Sequence, residues 1–138
     1  SSSSSTIYRQ GDTGTAVHQI KRRMAVENMF SGTVNATFDA ELTYAVKVFQ
    51  ASEDIRVDGL VGPATWSLLF PIVRKQTGQQ EGAKAVQALL NLNGYSVGTP
   101  DGLFGTGSEN KLKQFQTANG LTSDGICGAA TWAKLCEV

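Results

Sequence analysis

Side chains able to do chemistry are few in this chain of 138 residues, and their spacing does not bring them together. A glycosidase needs two carboxylates facing each other across a cleft. Glu41, Glu53 and Asp54 are the obvious acids, but each falls on or at the end of a stretch with helical periodicity, where a carboxylate is solvated. His18 is the single histidine. It has no nucleophile or metal partner at a recognisable spacing, so it reads as a surface or boundary helix residue. Cys127 and Cys136 together with that histidine supply too few ligands, in too scattered an order, for a zinc site. The segment between the two cysteines reads as a short helix. At a rise of about 1.5 Å per residue it would hold their Cα atoms beyond the roughly 7 Å limit for a disulfide, which favours two separate, partly buried thiols. Neither a Gly-x-Ser-x-Gly elbow nor a phosphate-binding glycine loop occurs. No catalytic set, no metal site and no cofactor is therefore expected.

The remaining acids of interest are Asp58, Asp101 and Asp124, each followed by glycine. Asp-Gly is turn chemistry, because glycine tolerates positive φ and aspartate bonds its own backbone. These three read as turn-formers first. The turns recur at a fixed period: Phe49 to Phe115, Asp58 to Asp124 and Trp66 to Trp132 are each 66 positions apart. A fixed period over a whole unit marks two copies of one small fold. Two units of about 60 residues each lie near the size at which one hydrophobic core can still hold a chain together.

Within the first copy, an extended Ile7-Tyr8-Arg9 leads through Gly11 to Asp12, a candidate N-cap for a helix with Val17, Ile20 and Met24 on one face. The second copy, after Val73-Arg74-Lys75, places Val86, Leu89 and Leu90 on the corresponding face, with Gly94-Tyr95 as the stop. Aligning Val17 with Val86 gives an offset of 69, which predicts three extra residues in the first copy. Asn35-Ala36-Thr37-Phe38 then lines up with Asp101-Gly102-Leu103-Phe104, and the missing glycine predicts a different loop shape. A second helix carries Leu42, Ala45, Val46 and Phe49, against Ser108, Lys111, Leu112 and Phe115. Thr106 and Glu109 have capping-box spacing, and the Lys111 stem should lie over the core with its ammonium in water. Pro63 suits the first turn of a third helix bearing Trp66 and Leu69, matched by Trp132 and Leu135. The core aromatics are Phe49, Trp66, Phe115 and Trp132.

The expected fold is all-α, two tandem small three-helix bundles at residues 7–70 and 79–138. A connector, 71–78, joins them, and the apolar start around Phe70-Pro71-Ile72 should pack between the bundles. Residues 1–6 are serine-rich and lack the regions of a signal peptide, so they read as the end of a flexible linker, with a larger domain upstream, or as an expression remnant. Twelve basic residues balance twelve acidic ones, which removes the field that nucleic acid would call for. The local cluster Lys21-Arg22-Arg23, close to Glu27, reads as a solvated helix face. No apolar run approaches the roughly 20 residues needed to cross a bilayer, so membrane insertion is not expected.

The ordered set of motifs resembles a known family. Gly94-Tyr95, Asp101-Gly102-Leu103-Phe104-Gly105, Phe115-Gln116, Gly120-Leu121, Asp124-Gly125, Gly128, Thr131-Trp132 and Leu135 are similar to the peptidoglycan-binding domain of bacterial and phage cell-wall hydrolases. The first copy matches from Phe38 onward through Phe49-Gln50, Asp58-Gly59, Gly62, Thr65-Trp66 and Leu69. It departs where Gly-Tyr is replaced by Asn28-Met29-Phe30 and Asp-Gly by Asn35-Ala36.

This resemblance implies a non-catalytic module that holds a linked lytic domain on its substrate, with peptidoglycan as partner. It implies a monomer joined to a catalytic domain, secreted or wall-associated, or part of a phage lysin. Tyr95, Asp101, Phe104, Asp124, Asp58 and Phe38 are the ligand candidates. Tyr95 and Phe104 lead because they flank the Asp101 loop and tyrosine carries a polar handle suited to a partly exposed site. The second copy, with its full loop, is expected to carry most of the recognition. The alternative is a protein-interaction or inhibitory domain like a matrix metalloprotease propeptide. Its cysteine switch uses Pro-Arg-Cys-Gly, whereas Cys127 stands in Asp-Gly-Ile-Cys-Gly.

Overall fold

The computed structural model describes residues 7–138; the serine-rich residues 1–6 lie outside the described residues. The chain divides into two compact units, with the boundary between Leu69 and Phe70. Helices α1 (Thr15–Ala25), α2 (Ala40–Ser52) and α3 (Pro63–Leu69) build the first, and α4 (Ala83–Leu92), α5 (Thr106–Ala118) and α6 (Ala129–Leu135) the second. Strand pairing among the described residues is limited to isolated antiparallel bridges. Tyr8 pairs with Val61 and Val73 with Cys127, tying each extended lead-in to the loop before the third helix. Thr13 with Thr37, and Gln79 with Leu103, fasten the start of each unit to the loop between its first two helices.

The period of 66 runs through the first helix as well, which corrects the expected three-residue insertion. Val17, Ile20, Lys21, Arg23 and Met24 are buried on α1, and Ala83, Val86, Gln87, Leu89 and Leu90 occupy the same five steps on α4. Val17 therefore matches Ala83, not Val86. The helix ends agree: Met29 N–H donates to Met24 O at 2.9 Å and Tyr95 N–H to Leu90 O at 2.8 Å. Asn28 takes the left-handed backbone at φ 61°, where the second unit has Gly94 at φ 91°. Asparagine is one of the few side chains that tolerate this region, which explains how the first unit dispenses with the glycine.

The same register overturns the reading of Lys21-Arg22-Arg23 as a solvated face. Lys21 and Arg23 are buried, at 0% and 2% exposure, and only Arg22 is partly open. Arg23 Nε donates to the carbonyl of Leu69 at the end of α3, and its guanidinium lies 3.6 Å from Glu27. The second unit reaches the equivalent carbonyl, Leu135 O, with Asn93 Nδ2 at 3.2 Å. Two different side chains thus satisfy the same orphan helix-end acceptor.

Helix starts differ from expectation too. Asp12 does not cap α1; Gly14 stands there, and Asp12 Oδ2 instead accepts Arg9 N–H. Gly105 precedes α5 without a side-chain cap, so Thr106 and Glu109 form no capping box. The side chain that does cap is Asp39, whose Oδ1 accepts Leu42 N–H at 3.0 Å. Pro63 opens α3, in the first turn where its missing N–H goes unused.

Phe49, Phe115 and Trp132 are core residues. Trp66 is not equivalent to Trp132: it is half-buried, with its ring tilted on Tyr8 at 5.8 Å between centroids. Trp132 is 1% exposed, meets Phe70 edge-on at 5.5 Å, and donates from Nε1 to Pro71 O at 2.7 Å. The stretch from Phe70 through Val73 accordingly packs as part of the second unit. Cys127 and Cys136 are both fully buried and are not joined in a disulfide.

Candidate ligand-binding clefts

Each Asp-Gly loop is held by a buried glutamine that the sequence reading passed over. Gln50 sits on α2, and its Oε1 accepts both Asp58 N–H and Gly59 N–H at 3.0 Å. Its Nε2 faces Asp58 Oδ1 at 2.9 Å, Leu60 O at 2.9 Å and Thr65 Oγ1 at 3.1 Å. Gln116 on α5 repeats this with Gly125 N–H, Asp124 Oδ1, Ile126 O and Thr131 Oγ1. Gln87 on α4 does the same for the preceding loop, with Asp101 N–H, Gly102 N–H, Asp101 Oδ1, Leu103 O and Ser108 Oγ. One device is therefore used three times: a helix-borne amide locks the next loop and the first turn of the next helix. For Gln50 and Gln116 the clue was the Phe-Gln recurrence, in which the glutamine is as fixed as the phenylalanine; Gln87, which follows Val86, carried no such signal.

The geometry explains the residue types. Gly59, Gly102 and Gly125 adopt φ of 74°, 83° and 75°, a region that side chains with Cβ avoid. Asp58, Asp101 and Asp124 each accept the N–H two residues on, at Leu60, Leu103 and Ile126. That backbone donor, seconded by the glutamine amide, holds the carboxyls of Asp58 and Asp101 below the usual aspartate range, with desolvation opposing. In the first unit Lys21 takes the place of Gln87. Its ammonium bonds Asn35 Oδ1 at 2.6 Å and Asp39 Oδ2 at 3.1 Å. Asn35 still makes the local turn to Thr37 N–H, but Ala36 lacks the left-handed φ of Gly102, so the loop shape does change there. For Asp39, burial works against ionisation, yet the Leu42 N–H and Lys21 outweigh it and the carboxyl sits low.

Shallow clefts open over these locks. One, of about 370 Å³, lies beside the α4–α5 loop and is lined by Ser96, Thr99, Asp101, Gly105 and Lys111 above Gln87. Another, of about 430 Å³, lies between the end of α5 and the start of α6, with Leu121, Thr122, Asp124 and Ala129 above Gln116. The first unit has one of about 330 Å³ at the position corresponding to the α4–α5 cleft, bordered by Phe30, Glu41 and Tyr44.

Of the six ligand candidates, Asp101 and Asp124 line clefts, and the exposed Asp58 is engaged in its loop. Tyr95 is half-buried and packs edge-on against Phe115 at 5.6 Å. Phe38 and Phe104 must be withdrawn as ligand contacts. They are 1% and 0% exposed, their rings turned into the core while their backbone carbonyls accept Gly11 N–H and Gln76 N–H. Among the described residues, no group of three or more His, Cys, Asp or Glu could hold a metal ion.

Comparison with known proteins places this geometry. The chain matches the peptidoglycan binding domain family twice, over residues 13–69 and 79–135. The N-acetylmuramoyl-L-alanine amidase CwlM of Mycobacterium tuberculosis is 33% identical over 148 residues, covering 92% of this chain and 36% of the amidase. The amidase CwlL of Bacillus licheniformis is 28% identical, covering 98% of this chain and 46% of the amidase. The chain thus spans less than half the length of these relatives. A crystal structure of the SleB N-terminal domain aligns with 49% of the chain at 26% identity and a TM-score of 0.46. The two matches keep the 66-residue spacing at both ends and together take in all six helices, and on that ground the chain belongs to the peptidoglycan-binding domain family, as two tandem copies.

Proposed function

We propose that the chain is the non-catalytic anchoring region of a cell-wall hydrolase, acting outside the cell on peptidoglycan and tethering a lytic domain to it. The observation that carries this is the double family match on a chain that aligns with only part of two wall amidases. The clefts over Gln87 and Gln116 are of a size that takes small ligands, at the lower end of the roughly 300–1,000 Å³ typical of such sites. The rim over Gln87 is mostly polar, that over Gln116 mixes Thr122 and Asp124 with Leu121, Ile126 and Ala129, and both floors are held by hydrogen bonds, which suits pre-organised recognition. Two modules on one chain raise residence on a repeating polymer through effective concentration. The inhibitory propeptide reading finds no support in Cys127, which is fully buried and could not reach a protease metal.

Sedimentation with purified insoluble peptidoglycan tests this. The protein is expected in the pellet, with no fall in turbidity and no released reducing ends. Wall lysis by the chain alone, or failure to sediment, would overturn the reading.

A further inference from the structure

The first unit is built differently from the second at the equivalent cleft. Tyr44 on α2 is 71% exposed, and Val48, one turn further along, is 48% exposed. At the corresponding positions α5 carries Asn110 and Gln114. The cleft beside Tyr44 has a volume of about 330 Å³ and is lined by Met29, Phe30, Ser31, Ala40, Glu41 and Tyr44. Its counterpart in the second unit contains Ser96, Gly107 and Lys111 where this one has Phe30, Glu41 and Ala45.

The cleft wall is packed in place. Phe30 is 5% exposed, and its ring has the buried Lys21 ammonium 5.4 Å from its centroid. Gly32 is not in the left-handed region, so no φ requirement explains it. Space does. A Cβ there would fall 2.6 Å from Glu41 Oε1 and 2.8 Å from Phe30 Cζ. The missing side chain is what lets the carboxylate and the ring close over that residue.

We infer that this cleft is a saccharide subsite, in which Tyr44 stacks on the apolar face of a pyranose ring of the glycan strand and Glu41 accepts a hydroxyl or acetamido N–H. The inference rests on the peptidoglycan-binding reading above. The face of an aromatic ring is its negative side, so it attracts the weakly positive C–H edge of a sugar, and tyrosine combines that body with a polar tip. Charge separates the sugar from the stem peptide as occupant. Glu41 is the only ionisable side chain named among the lining residues besides the tyrosine phenol, and a carboxylate repels a carboxylate-bearing peptide while accepting from neutral sugar donors. The two units then read the polymer through clefts of different chemistry, one aromatic and acidic, the other polar with a lysine.

The test uses the full chain, labelled for NMR and titrated with a soluble β-1,4-linked N-acetylglucosamine tetramer, and separately with a synthetic stem peptide. The tetramer should shift amide signals of residues 29–31 and 40–45. Y44A should weaken its binding by about tenfold or more, as loss of one aromatic anchor does, while Y44F keeps it. Because Tyr44 is exposed, the melting temperature of both variants should match the parent. The inference is overturned if the tetramer leaves those signals unmoved, if the peptide shifts them instead, or if Y44A binds the tetramer like the parent. Sedimentation with whole peptidoglycan separates the two claims. A parent that does not pellet overturns the binding reading and this inference with it, whereas a pelleting parent with undiminished Y44A overturns this inference alone.

Discussion

At the residue scale, similar letters in the two repeats do different jobs. Trp66 and Trp132 stand 66 positions apart in the same Thr-Trp motif, yet one rests half-open on Tyr8 and the other is enclosed by Phe70 with its indole N–H bonded to Pro71 O. Emptying a fully buried aromatic site costs about 3–5 kcal/mol, and Trp132 also gives up a hydrogen bond. Trp132→Ala should therefore lower the unfolding free energy of the second unit by that amount, while Trp66→Ala should cost the first unit less than half as much. Denaturant titration of the two variants, followed by helical circular dichroism, checks the difference. Equal losses would mean that the contact with Phe70 and Pro71 contributes nothing. The motif alone could not reveal this asymmetry, because burial of the ring is decided by residues at the start of each unit, far from the motif in sequence, Tyr8 in one and Phe70 in the other.

At the scale of elements, the helices and the Asp-Gly turns were legible, while the polar locks between them were not. Apolar steps of three and four marked every helix, and glycine after aspartate marked three of the loops. The buried locking role of Gln50, Gln87 and Gln116 was not legible because a polar letter on a helix reads as solvent-facing until the loop that satisfies it is folded back over it. The same blindness moved the register of α1. Lys21 and Arg23 hold core positions, and discounting them slid Val17 onto Val86. Lys21 and Gln87 are two solutions to one problem, closing the loop beneath the next helix, and each is matched to its own loop. Lys21→Gln alone should destabilise the first unit by about 1–3 kcal/mol, since the amide meets Ala36 in place of the left-handed glycine and Asp39 loses its cation. Adding N35D and A36G should return most of that loss by rebuilding the Gln87-type lock. Urea midpoints of the single and triple variants decide it; a triple variant no better than the single would show that the lock depends on more than these three residues.

At the scale of the whole molecule, the repeat period was readable from sequence, but the seam was not. The motif ends at Leu69 and restarts near Gln79, which made the stretch between them look like a connector. The chain from Phe70 onward belongs with the second unit. Phe70 lies edge-on to Trp132, Pro71 O accepts the indole, and Val73 exchanges both backbone bonds with Cys127. A segment with such contacts is part of the core it closes, and a domain boundary belongs where few contacts cross. Residues 70–138 expressed alone should melt cooperatively as a helical protein. Residues 79–138, which carry every family motif of the second copy, should be several kcal/mol less stable, on the scale of losing a large buried side chain. The 79–138 fragment exposes the Trp132 ring, leaves its N–H without Pro71 O, and strips Cys127 of its backbone partner. Tryptophan fluorescence reads this directly, because Trp132 is the single tryptophan in both fragments. The longer fragment should show a buried, blue-shifted indole and the shorter one a solvated, red-shifted one. Matching spectra and melts would place the seam at the motif edge after all, and would reduce Phe70, Pro71 and Val73 to a strap laid over a core already complete without them.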